Sequence, residues 1–323
     1  MKSQRQRTLT PWELPQLLIP MHHHKQPTLA DSGKERPHFC GILGYVYRNR
    51  YVVASQIQRR FSHWLKSDRT TRRHLAEMQA LGYLGVAPTR STSPLWPKVY
   101  YITQGGARRL RQALAARSKQ GDVVRSDRTR TNGYAADHVL HEVLTTEFLL
   151  AVWQTIHASN NLDLCQIERR SLAGNPAFQL TLGRRHTRLE PDAMFVHREQ
   201  GSGLICSFVE LDTGSMRLQQ MTAKFGRYEA WAHSDVGKAF LCDLYRRHAA
   251  RKPRPVFRVL TIAATQANGD GRVADLMSIA TAFPTKRVRR WVPPAPGMIR
   301  FCPTCRCPSG RLLALMISST GTP

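Results

Sequence analysis

Acidic residues are scarce in this chain: 22 Asp+Glu stand against 48 Lys+Arg, a formal net charge of +26. A field of that sign and size is usually matched by polyphosphate, because counterions released from the polyanion drive binding. The shortage of acids is uneven. Residues 37–132 hold 18 Lys+Arg and 4 Asp+Glu, whereas 133–283 hold 17 and 15. The excess positive charge lies mostly in one segment, which is where a polyphosphate partner is expected. Long apolar runs are missing too. No stretch of about 18 apolar residues exists, so no membrane span is expected. The N-terminus carries lysine and arginine but no apolar core ahead of a small-residue cleavage site, so the chain is placed in the cytoplasm. Cysteines are few. Cys40, Cys165, Cys206 and Cys242 are scattered through predicted elements and read as reduced, buried side chains. Cys302, Cys305 and Cys307 give half a zinc-ribbon spacing with no second pair behind it. A closed structural site takes four ligands, so Zn²⁺ is not expected there unless a distant histidine or a second chain completes the set.

A length of 323 residues suits two domains, each with its own core. Residues 1–36 read as a disordered basic arm with a His22-His23-His24 run and no sustained periodicity. Residues 37–117 follow the order helix, helix, helix, hairpin, helix of a winged helix-turn-helix. Phe39, Ile42, Leu43 and Val46 make the stripe of a first helix running to Arg48. Ser55 stands as the cap of a short second helix ending near Phe61. Ser67 or Asp68 caps a third helix, Arg69 to Leu81, with Thr71, Leu75, Met78 and Leu81 inward and Gly82 as its stop. Arg69, Thr70, Arg72 and Arg73 then face outward near the end that meets base edges and phosphates. Strands Tyr83–Val86 and Val99–Ile102 form the wing, with Arg90 and Lys98 as further DNA contacts, and Thr103 caps a last helix to Arg117. Residues 118–134 are a polar linker, and 284–323 a basic, poorly ordered, Cys-containing tail.

Residues 135–283 read as an α/β (α+β) domain around a central mixed sheet. An amphipathic helix over 135–158 opens it, followed by strand candidates Leu162–Glu168 and Phe178–Leu182. Two apolar runs then carry acids at their ends. Asp192 precedes the first run, and Glu210 and Asp212 close the second. Carboxylates gathered at one sheet edge repel one another unless a divalent cation or a lysine sits among them. Lys224 lies on the next predicted helix, from Ser215 to about Trp231, on one stripe with Arg217, Tyr228 and Trp231. A strand Val256–Ala263 and a helix Val273–Ala282 complete the domain.

The Pro191-Asp192 and Glu210-x-Asp212 pair resembles the PD-(D/E)xK nuclease core. With the basic winged helix in front, the chain over residues 37–283 resembles the replication-relaxation family of plasmid and mobile-element proteins. The resemblance implies that Asp192 and Glu210 hold a divalent metal, Mg²⁺ by expectation, while a lysine steadies the attacking water or the phosphate charge. Asp212 stands where the nuclease motif has lysine. Lys224 supplies that amine from the helix, or Asp212 marks an inactive fold kept for binding a partner or a second copy of the chain. Glu142 is a candidate extra acid on the first helix, with Glu168 competing for the role. Two functions follow: a DNA-binding nuclease of the replication, relaxation or mobilisation type, or a non-catalytic DNA-binding regulator.

Overall fold

The computed structural model describes residues 38–87, 97–115, 136–169, 175–182, 185–200, 203–213, 216–248, 256–263, 275, 276, 278, 287–291 and 313–320. These residues form seven α-helices and three sheets, one of them mixed, so the class is α+β. The chain divides into two compact units, Met1–Leu150 and Ala151–Pro323.

The first unit begins with α1 (Phe39–Asn49), whose Phe39, Ile42, Leu43 and Val46 are fully buried. That stripe recurs every three to four residues and packs one helix face on the core. β1 (Val52–Val53) and α2 (Ala54–Arg60) follow. The helix starts ahead of Ser55 because Gln56 Oε1 accepts the Val53 amide at 3.0 Å and takes the capping role. The helix ends near Phe61 as expected, with Phe61 as its C-cap, and a turn follows: the Trp64 and Leu65 amides donate to the Phe61 carbonyl at 2.9 and 2.8 Å. Next, α3 (Asp68–Ala80) is capped by Ser67, whose Oγ accepts the Thr70 amide at 3.1 Å. Thr71, Leu75 and Met78 face inward, but Leu81 is 39% exposed, because it is the C-cap where the chain leaves the helix. Gly82, at φ +69, then reverses the chain. The Tyr83 amide donates to the Met78 carbonyl and the Gly82 amide to that of Gln79, both at 2.9 Å, which is a Schellman turn.

β2 (Leu84–Val86) and β3 (Val99–Ile102) pair antiparallel, and β1 pairs along the other side of β3. Thr103 Oγ1 accepts the Gly106 amide at 3.1 Å and starts α4 (Gln104–Ala115). β1 has no counterpart among the predicted elements, since two residues show no periodicity.

Prediction and structure differ most at α5 (Ala136–Ala158). Periodicity assigns the whole helix to the second domain, yet its residues up to Leu150 belong to the first unit. Arg59 Nη2 donates to Glu147 Oε1 at 2.7 Å, and Gln56 Nε2 donates to Glu147 Oε2 at 3.1 Å. Tyr51, Val53, Val99 and Val139 form a buried apolar cluster beside these bonds. The linker at 118–134 lies outside the described residues.

The second unit is built on a six-stranded sheet of β4 (Leu162–Glu168), β7 (Ala193–Glu199), β8 (Gly203–Asp212), β9 (Val256–Ala263), β10 (Arg287–Trp291) and β11 (Leu313–Thr320). Its order is β10-β11-β9-β8-β7-β4. β8 and β9 run parallel and the other neighbours antiparallel. β5 (Gln179–Leu182) and β6 (Arg185–Arg188) form a separate hairpin. Two of these strands, at 287–291 and 313–320, fall in the stretch read from the sequence as a poorly ordered tail.

Between β8 and β9 the chain makes α6 (Leu218–His233) and α7 (Asp235–His248). Met221, Phe225, Tyr228 and Trp231 of α6 pack with Met194, Val196, Cys206 and Phe208 of the sheet in the main core of this unit. Each such fully buried side chain is worth roughly 1.5–3 kcal/mol. Gly237 lets α7 begin against the end of α6: a Cβ there would lie 1.9 Å from the Trp231 carbonyl oxygen. Arg217, expected on the inner stripe of α6, is instead its exposed N-cap. Of the four cysteines, Cys40 and Cys206 are buried, Cys165 is half-buried and Cys242 is exposed on α7. No helix among the described residues is long and apolar enough to cross a membrane.

Candidate functional site

Asp192 sits just ahead of β7, where the strand has begun to pair with β8. Its amide donates to the Val209 carbonyl at 3.0 Å, and its Oδ2 accepts the Leu211 amide at 2.8 Å. The carboxylate therefore fastens the end of one strand to the next. Two residues along β8 from Phe208, Glu210 shares that residue's face of the pleat and stands at the upper end of the core. Glu210 is 2% exposed and Asp212 4%.

α6 brings two donors to Glu210. Lys224 Nζ forms an ion pair with Oε2, and Tyr228 Oη donates to Oε1 at 2.5 Å. Lys224 and Tyr228 are one helical turn apart, which is why both reach one carboxyl group. Trp231 Nε1 donates to the Ala177 carbonyl at 2.7 Å and holds the far end of the helix in place.

The electrostatics follow from burial and proximity. Burial pushes the Glu210 carboxyl upward and Asp192 adds to it, while Lys224 and Tyr228 pull it down. Burial alone would lower the Lys224 ammonium, but Glu210 and Asp192 outweigh that and hold it above its ordinary value. Burial is the largest influence on Glu210 and leaves its carboxyl raised to about 8, while both of its oxygens stay within hydrogen-bond reach of Lys224 and Tyr228. Burial first, and then the neighbouring Glu210, push the Tyr228 hydroxyl well up, so it stays a donor.

Asp192, Glu210 and Lys224 thus come together, as the strand-end acids and the helical spacing predict. Tyr228 lies on the predicted stripe and proves a direct partner of Glu210. Glu142 has other partners, within the first unit: Arg50 Nη1 lies 3.4 Å and His138 Nε2 3.5 Å from its Oε1. A guanidinium thus stands beside that buried carboxylate. Glu168 Oε1 accepts Gln166 Nε2 at 2.7 Å, and Gln166 Oε1 in turn lies 2.6 Å from His248 Nε2.

Both oxygens of Glu210 are engaged by protein donors, and Asp192 Oδ2 by a backbone amide. Among the described residues no group of three or more His, Cys, Asp or Glu could hold a metal ion. Cys302, Cys305 and Cys307 lie outside the described residues.

On the first unit, Arg69, Arg72 and Arg73 are exposed on the outer face of α3, as is Lys98 ahead of β3. Arg72 Nη2 is held 2.7 Å from Asp68 Oδ2. Thr70 is half-buried and shares the cap, accepting a hydrogen bond from Ser67 Oγ at 3.0 Å. Arg90 lies outside the described residues.

No curated protein and no solved structure matches the chain. A family model described as replication-relaxation matches residues 43–240, a span that runs from α1 into α7 and takes in α3, Asp192, Glu210 and Lys224. That is more than half of the chain, and the protein belongs to the replication-relaxation family.

Proposed function

We propose that the protein binds double-stranded DNA through its first unit, as a winged helix with α3 in the major groove, in the replication or relaxation of a plasmid or mobile element. The observation that carries this is topological. The elements run α1-β1-α2-α3-β2-β3-α4, and β3 lies between β1 and β2. That order presents α3 outward after a short turn from α2 and leaves β2–β3 as a wing beside it. Arg69, Arg72 and Arg73 lie on the outer face of α3, and the Asp68 pair holds the Arg72 guanidinium near the helix start. The test is a binding titration of a DNA duplex at several salt concentrations. Arg72→Ala with Arg73→Ala weakens binding, and the slope of log K against log salt flattens by about 0.9 for each phosphate left without its arginine. Unchanged affinity and slope would remove α3 from the interface.

For the second unit the reading is a nuclease-like core that serves to bind a partner or a second copy of the chain without cutting DNA. It rests on the closed state of the carboxylates: Glu210 spends both oxygens on Lys224 and Tyr228. The convergence of Asp192, Glu210 and Lys224 at one strand end favours the other reading, a divalent-metal nuclease. Supercoiled plasmid separates them. With Mg²⁺ or Mn²⁺ present, wild type and Asp192→Ala are expected to leave the plasmid equally intact. Nicking or linearisation by wild type that Asp192→Ala abolishes would make the protein an endonuclease.

A further inference from the structure

In the second unit, a site with the acids of a cation centre has its positive charge built in. Glu210 is almost wholly buried, and its two oxygens are met by Lys224 Nζ and Tyr228 Oη. Asp192, tied to the Leu211 amide through Oδ2, is near enough for its charge to act on both Glu210 and Lys224. The Lys224 side chain is 13% exposed, so the ammonium is held at the pair and is not a surface charge swinging past it. A buried carboxylate needs a positive partner. A divalent ion or an ammonium can answer that need, and here Lys224 and Tyr228 engage both oxygens.

We propose that the Lys224 ammonium is the permanent counter-ion of Glu210 and Asp192, occupying the position a divalent cation would take, so that the wild-type domain is metal-independent and loss of the lysine opens the position to a divalent ion. The swap is consistent in chemistry. Lys224 reaches the carboxylate from a helix that follows β8, and Tyr228 closes the second oxygen from one turn further on. Removing the amine leaves Glu210 Oε2 and Asp192 as hard oxygen donors with no charge between them, which suits Mg²⁺ or Mn²⁺ rather than a softer ion. The inference rests on the nuclease-like reading of the second unit and is independent of DNA binding by the first.

The test is a Mn²⁺ titration of the full-length protein, with free Mn²⁺ followed by electron paramagnetic resonance. Wild type is expected to take up no ion that Glu210→Gln removes. Lys224→Ala is expected to gain one Mn²⁺ site that binds at least about tenfold more tightly than any residual uptake by wild type, equivalent to about 1.4 kcal/mol. The double variant Lys224→Ala with Glu210→Gln should lose that ion. Should Lys224→Ala not fold, Lys224→Gln takes its place, keeping most of the chain and dropping the charge. Saturable Mn²⁺ uptake by wild type that depends on Glu210 overturns the inference and leaves the nuclease-like reading standing. Failure of both wild type and the lysine variants to bind Mn²⁺ overturns the inference and takes with it the reading of Asp192 and Glu210 as a cation centre.

Discussion

Replacing Glu210 with alanine will lower the unfolding free energy by about 3–5 kcal/mol, the usual cost of stripping one partner from a buried ion pair. The change removes the acceptor of both Lys224 and Tyr228 and leaves an ammonium enclosed beside the core. Urea unfolding is the measurement, and the midpoint should fall with little change in slope. Glu210→Gln costs less, because its amide oxygen still accepts from one donor. Adding Lys224→Met to Glu210→Ala should return part of the loss, since the stranded charge is then gone. The coupling between the two changes measures the pair itself. A loss below about 1 kcal/mol, the range of an exposed ion pair, would mean that water reaches Glu210.

Trp231→Ala carries a comparable expected cost, about 3–5 kcal/mol, through cavity formation. Trp231 is fully buried. Its ring stacks on Phe178 at 5.4 Å between centroids and meets the edge of Phe208 at 5.2 Å. Its Nε1 also bonds the Ala177 carbonyl, so a second loss of about 1 kcal/mol is included. Trp231→Phe keeps most of the packing and drops that bond, and should cost well under half as much in a thermal melt. Equal losses in the two variants would show that the hydrogen bond, not the ring, anchors the helix. The effect reaches the site because α6 is the element that carries Lys224 and Tyr228.

Much of this architecture is legible in the sequence where a pattern is long enough to repeat. β4 and β9 coincide with the runs Leu162–Glu168 and Val256–Ala263. The expected third helix, Arg69 to Leu81, differs from α3 by one residue at each end. Shorter or mixed segments escape. β1 is two residues long, and β6 is a basic strand with no apolar alternation. α7 escapes as well, although Gly237, Leu241, Leu244 and Tyr245 are buried at helical spacing. That signal is present in the sequence and is diluted by the charged residues around it.

The limit at α5 is of another kind. Its apolar residues show that it packs without showing on what, and Glu142, Thr145, Thr146 and Glu147 are buried on it where a simple apolar stripe is expected. The placement of its first half comes from Arg59 and Gln56, whose bonds to Glu147 span long stretches of chain. The candidate site divides in the same way. Acids at the ends of apolar runs point to Asp192 and Glu210, and helical spacing points to Lys224. That Asp192 grips the Leu211 amide depends on strand register, and that Tyr228 takes the second oxygen depends on helix rotation. Neither register nor rotation is written in composition.

The parallel pairing of β8 with β9 sets an order of assembly. β7 and β8 are neighbours along the chain and zip together early, whereas parallel partners wait for the whole crossover between them to be made. During synthesis the lysine on α6 therefore emerges while the flank of β8 that will receive β9 is still open to water. A nascent chain halted at His248 would already own both the acid and its amine, but not the strand that pairs alongside Glu210.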